Sequence, residues 1–127
     1  TLLSVLDETV TPMGARLLRR RIEQPLLDRE ALEARLDAVG RFVSQAIARG
    51  DVRDGLKRMG DVERLVARCA TGVAGPRDLG ALRQSLNTLP DLAEPLWRVG
   101  EGLLQEAREA IGDHADLARD LGRALMD

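Results

Sequence analysis

The sequence predicts an all-α fold, an irregular multi-helix bundle, and three observations carry that expectation. Apolar residues recur at spacings of three and four almost throughout, the signature of helices with one buried face. No segment alternates apolar and polar with period two, so no strand is expected. Aromatics are only 2% of the chain, Phe42 and Trp97, which leaves a core of Leu, Val, Ile and Ala, with Leu and Ala the strong helix formers.

Each element has its own start and stop signals. Thr1 to Leu6 reads as a short helix ended by Asp7-Glu8-Thr9. Thr11 followed by Pro12 is an N-cap with proline at the first helical position, and that helix should reach Glu23, because Pro25 disfavours helix at Gln24. Asp28 caps the next helix, whose apolar residues Leu32, Leu36, Val39, Val43 and Ile47 form one stripe expected to face the core. Gly50 is expected to end it and Asp51 to cap a short turn. Asp61 starts a helix carrying Val62, Leu65, Val66 and Cys69, punctuated by Gly72 and Gly75. Pro76 opens another, with Leu79, Leu82, Leu86 and Leu89 inward, and Pro90 and Pro95 are expected to break or kink the chain beyond Leu89. Gly100 and Gly102 lead into Leu103, Leu104, Ala107 and Ile111, and the stripe Leu117, Leu121, Leu125 closes the chain.

At 127 residues, 44% apolar and 31% charged, residues 1–127 fit a single soluble helical domain. The net charge of −2 argues against a dedicated nucleic-acid module, although residues 1–59 hold eleven cations against nine anions and residues 60–127 eight against twelve. Cys69 is the only cysteine, so neither an intrachain disulfide nor a Cys-x-x-Cys metal site can form, which fits a cytoplasmic location. No apolar run approaches the ~20 residues of a membrane span. The chain begins at Thr1, which reads as a segment of something longer.

Groups that could do chemistry do not assemble. His114 lies between Asp113 and Asp116 beside a glycine, as a solvated turn residue would. Glu30 with Glu33 and Asp113 with Asp116 sit near helix starts, where the dipole favours acids without catalysis. Cys69 on an apolar face reads as a small buried hydrophobe. The only lysine stands in Gly55-Leu56-Lys57-Arg58, which is not a phosphate loop, so the chain is expected neither to bind nor to hydrolyse ATP. No catalytic, cofactor or metal residue is assigned.

The strongest charge cluster is Arg16, Arg19, Arg20 and Arg21. It is either a solvated face with local pairing, such as Arg19 with Glu23, or a contact to phosphate or to an acidic partner domain. Arg16, Arg20 and Arg21 are the candidates for an inter-domain or partner contact. Arg21 falls inside the apolar arc of its helix, so it is expected to be partly buried, its stem on leucines and its head on an acid or a carbonyl.

Four motifs in order carry a resemblance. Thr1-Leu2-Leu3-Ser4-Val5-Leu6-Asp7, Thr11-Pro12-Met13-Gly14, Arg16-Leu17-Leu18-Arg19 and Pro25-Leu26 resemble the opening of the core domain of the MutS family of DNA mismatch-repair proteins. Arg35-Leu36-Asp37-Ala38-Val39 fits the same pattern. Gly60-Asp61-Val62-Glu63-Arg64-Leu65 with Arg68 is similar to the family's next signature, and Pro76-Arg77-Asp78-Leu79, Leu82-Arg83 and Leu89-Pro90 to the one after. The match holds over residues 1–90 and more loosely to Asp127. Arg21 departs from it, since the family usually has Trp there.

The resemblance implies the first part of the core, before the clamp insertion. It implies a parent that recognises mismatched DNA, uses ATP and Mg, works as a homodimer and signals repair. This segment would then be a helical hub coupling ATPase and DNA-clamp regions. The family's Phe-x-Glu mismatch reader is missing, because Val43 and Ser44 follow Phe42. A core of this kind is completed by helices from elsewhere in the parent, so the terminal leucine stripe is expected to stay partly exposed or to drive self-association. A free-standing helical protein-interaction module is the alternative. A helix-turn-helix DNA-binding domain is a third reading, disfavoured by the absence of a basic recognition helix after a tight turn.

Overall fold

A computed structural model describes residues 1–125; the last two positions of the 1–127 domain assignment lie outside the described residues. The described residues form eight helices and no strand: α1 (Leu2–Leu6), α2 (Pro12–Glu23), α3 (Arg29–Ser44), α4 (Ala46–Lys57), α5 (Val62–Ala70), α6 (Pro76–Val99), α7 (Leu103–Ile111) and α8 (Ala115–Leu125). The all-α bundle is therefore observed.

The caps fall where the sequence places them. Thr11 Oγ1 accepts from the Gly14 amide at 2.9 Å, and α2 stops at Glu23, ahead of Pro25. Asp28 accepts from Glu30 at 3.0 Å, and Asp61 from Arg64 at 3.2 Å. Gly75 precedes Pro76 at the start of α6, and its amide donates to Asp78 at 3.1 Å.

Helix α6 is the spine. Its 24 residues span about 36 Å, and α4, α5, α7 and α8 all pack on it. Helix α3 rests on α4 and α7, and α1 on α2. The core at the C-terminal end of α6 is Ala48, Leu96, Val99 and Leu104, lined by Ala38, Phe42, Val52 and Ile111. Further along α6, Ser85 is fully buried; its hydroxyl donates to Ala81 O and accepts from the Gly60 amide at 2.9 Å, tying the approach to α5 onto the spine.

Four expectations need correction. The stripe expected to face the core turns outward: Leu36, Val39 and Val43 of α3, and Ile47 just beyond it in α4, are 59–77% exposed. The inward side of α3 carries Ala38 and Phe42, while Arg41 and Gln45 donate to Val99 O, so the helix turns one alanine, its single aromatic and polar residues to α6 and α7. Gly50 does not end a helix; the break comes at Gln45, and Asp51 inside α4 pairs with Arg98 of α6. Neither Pro90 nor Pro95 ends α6. Each removes a backbone donor, but Pro95 and its neighbours Leu92, Leu96 and Val99 are buried, and that packing outweighs the lost bonds. Cys69 is exposed, not buried. At the other end of the chain, Leu117 is 48% exposed while Leu121 and Leu125 are half-buried, so the terminal stripe stays partly open.

Candidate interaction surface

The arginines of α2 separate into two groups. Arg16 reaches α5 and makes a two-pronged pair with Asp61, both oxygens at 2.8 Å, plus a contact to Glu63 at 3.1 Å. Arg19 pairs with Glu23 one turn on. Arg20 and Arg21 pair with no carboxylate among the described residues. They rim a shallow cleft of about 190 Å³ with Leu17 and Gln24 of the same face, and Arg35 of α3 closes it.

Arg21 is exposed and, among the described residues, finds neither an acid nor a carbonyl, against the expectation of a half-buried, paired side chain. Loss of surrounding water, and then the charge of Arg35, hold its guanidinium below its ordinary pKa. The apolar arc of α2 is divided: Gly14 and Leu18 line a groove with Arg53 and Leu56 of α4, whereas Arg21 sits with the exposed Leu17 beside Arg35. Arg35 was not singled out by sequence. No local signal points to it, because its place beside Arg20 and Arg21 depends on how α2 and α3 lie together.

Asp61 does two jobs at once. It caps α5 and holds Arg16, and the Arg16 hydrogen bonds, above all, bring its pKa down to about 2. Asp78, receiving the Gly75 amide and then Arg68, is lowered too, as is Asp7 by the Thr9 hydroxyl. A carboxylate depressed in the folded state stabilises it above its unfolded pKa, near 4, and that contribution is lost as pH falls toward 2. Melting temperature should therefore fall between pH 4 and pH 2. In Asp61→Asn it should start lower at neutral pH and fall less steeply. At neutral pH Arg16→Ala should lower the melting temperature and Arg21→Ala should not. Thermal melts followed by circular dichroism across that range check this; parallel acid profiles for Asp61→Asn and the parent chain would show that the pair contributes nothing.

No catalytic grouping appears. His114 is exposed just before α8, and Asp113 beside it accepts from the Ala115 amide. Glu30 lies in the first turn of α3, and Glu33 pairs with Arg29. Among the described residues no cluster of His, Cys, Asp or Glu has metal-holding geometry, and no helix is long and apolar enough to cross a membrane.

What the surface does offer is apolar area. Helices α1, α2 and α3 contain no buried residue, while Leu17, Leu27, Leu32 and the α3 stripe stand open.

Comparison with known proteins places this helical layout. The sequence profile of MutS domain III matches residues 1–127. The DNA mismatch repair protein MutS of Roseiflexus castenholzii is 56% identical over 98 residues, 76% of this chain and 9% of that protein. Its namesake in Thermus thermophilus is 50% identical across the whole chain, covering 16% of that protein, and that of Brevibacillus brevis 43% identical across the whole chain, covering 15%. The chain thus spans less than a fifth of the length of these relatives. With the profile matched from end to end, the chain belongs to the MutS domain III family.

Proposed function

We propose that this chain is a helical hub, without an active site of its own, in a protein that recognises mismatched DNA and signals repair in an ATP-dependent manner. The relatives' shared name, DNA mismatch repair protein MutS, supports the process. ATP and Mg, mismatched duplex DNA and a homodimeric state belong to the parent on the strength of that kinship, and Arg20 and Arg21 are contacts for another part of it. Arg16 is engaged within the chain, where it ties α2 to α5.

The observation that carries the hub reading is the outward stripe of α3. A helix held on one side by α4 and α7 and bare along Leu36, Val39 and Val43 is half of a packed layer. The spine α6 gives that layer a rigid backing, as transmission between distant sites requires. A free-standing module would share the open face but not the full-length family match.

Hydrogen exchange tests this reading. Amides of α3 should exchange more slowly in a full-length MutS-type protein carrying this segment than in the 127-residue chain. In that full-length protein Leu36→Asp with Val43→Asp should reduce mismatch-stimulated ATP hydrolysis while ATP affinity stays unchanged. Equal exchange in the two chains, together with unaltered hydrolysis, would remove the hub.

A further inference from the structure

The cleft between α2 and α3 and the stripe beside it form one continuous surface. Counting 100° per residue from Leu32, the exposed stripe of α3 spans roughly 340° to 40°, and Arg35 falls near 300°, on its border. Val39, four residues on, and Leu32, three back, are the surface neighbours of Arg35. Across the cleft, Leu17 is 40% exposed between Arg20 and Arg21. Apolar seat and cationic rim therefore adjoin.

We propose that this surface receives an acidic amphipathic helix, whose apolar side seats along the α3 stripe and whose carboxylates meet Arg20, Arg21 and Arg35. The proposal deepens the hub reading and rests on it, in that it names the chemistry of what covers α3.

Three features favour this occupant. The stripe Leu32, Leu36, Val39, Val43 has spacings of four, three and four, the narrow seam that a second helix fills. Arg20, Arg21 and Arg35 line the cleft of about 190 Å³ and pair with no carboxylate among the described residues, and the planar guanidinium fork matches a carboxylate in two hydrogen bonds. Arg21 and Arg35 repel each other across the cleft, and an incoming anion relieves that repulsion. A DNA backbone would satisfy the arginines but leave the leucines and valines in water, and the chain carries a net charge of −2.

The probe is a fluorescein-labelled synthetic helix of about five turns, with leucines at four–three spacing and glutamates flanking them. A second peptide carries lysines in place of the glutamates. Anisotropy titration with the 127-residue chain should show the glutamate peptide bound about ten-fold more tightly than the lysine peptide. The variant Arg20→Glu/Arg21→Glu/Arg35→Glu should reverse that preference, and Arg20→Gln/Arg21→Gln/Arg35→Gln should erase it. All three positions lie outside the core, and unchanged far-ultraviolet dichroism verifies that each variant is folded. Leu36→Asp should weaken both peptides about ten-fold. If Leu36→Asp weakens both peptides but the arginine variants leave the ratio of their affinities as it is in the parent chain, apolar docking stands and the acidic partner is overturned. If Leu36→Asp changes nothing, the hub face falls with it. The proposal is likewise overturned if the chain dimerises in sedimentation equilibrium, Leu36→Asp abolishes the dimer and the glutamate peptide does not compete with it, since the occupant is then a second copy. It is also overturned if the chain binds duplex DNA through the three arginines but not the peptide.

Discussion

Leu96→Ala should lower the unfolding free energy by about 2–5 kcal/mol, whereas Leu36→Ala should change it by no more than about 0.5 kcal/mol. Both leucines lie within helices on stripes of helical spacing. Leu96 is 7% exposed and meets Ala48, Val99 and Leu104 where α4, α6 and α7 converge. Truncating it removes apolar contact area and leaves a cavity that this small-residue core cannot close by moving one side chain. Leu36 is 66% exposed, and alanine serves a helix as well as leucine does. Urea unfolding of the two variants against the parent chain measures both. A Leu96→Ala loss below about 1 kcal/mol would mean that the convergence at Ala48 is not the core.

The same two leucines show what sequence can and cannot convey. Helix starts were legible because capping is a local transaction: Thr11, Asp28 and Asp61 each bind an amide two or three residues on. Which side of a helix turns inward is not local. Spacing showed that Leu32, Leu36, Val39 and Val43 share a face of α3, but the helices packed on it choose Ala38 and Phe42 instead. A stripe that awaits a partner outside the chain looks the same in sequence as one that is already covered. The spine misleads in the opposite way. Proline signals a break or a kink, and of the two the break does not occur: α6 runs through Pro90 and Pro95, with Leu92, Leu96 and Val99 buried along it. Nor does periodicity of large residues reveal Ser85, which holds its buried place through the Gly60 amide. In the candidate site, Arg20 and Arg21 were visible as a charge cluster. Arg35 was not, and Arg16 could be separated from the others only once Asp61 lay opposite it.

Gly55→Val should be the most damaging substitution at a position with no side chain to lose. Gly55 is buried in α4, where it faces α6: a Cβ there would stand 2.7 Å from Leu92 Cδ2 and 3.3 Å from its Cγ. Those distances make Gly55 the point where a backbone and a leucine share space that any other residue would fill. Glycine inside a helix costs roughly 0.5–1 kcal/mol relative to alanine, so Gly55→Ala sets a helix gain against a clash and should come out near neutral or slightly unfavourable. Valine adds two further methyls and gives up most of that gain. Overpacking of this kind costs about 1–3 kcal/mol, because Leu92, itself only 6% exposed, has little room to turn away. The decisive measurement is a double-mutant cycle. Leu92→Ala alone should cost about 2–5 kcal/mol. Combined with Gly55→Val it should cost less than the sum by about 1 kcal/mol or more, as the new methyls occupy the vacated space. Strict additivity would mean that α4 and α6 part as rigid bodies instead of sharing that one contact.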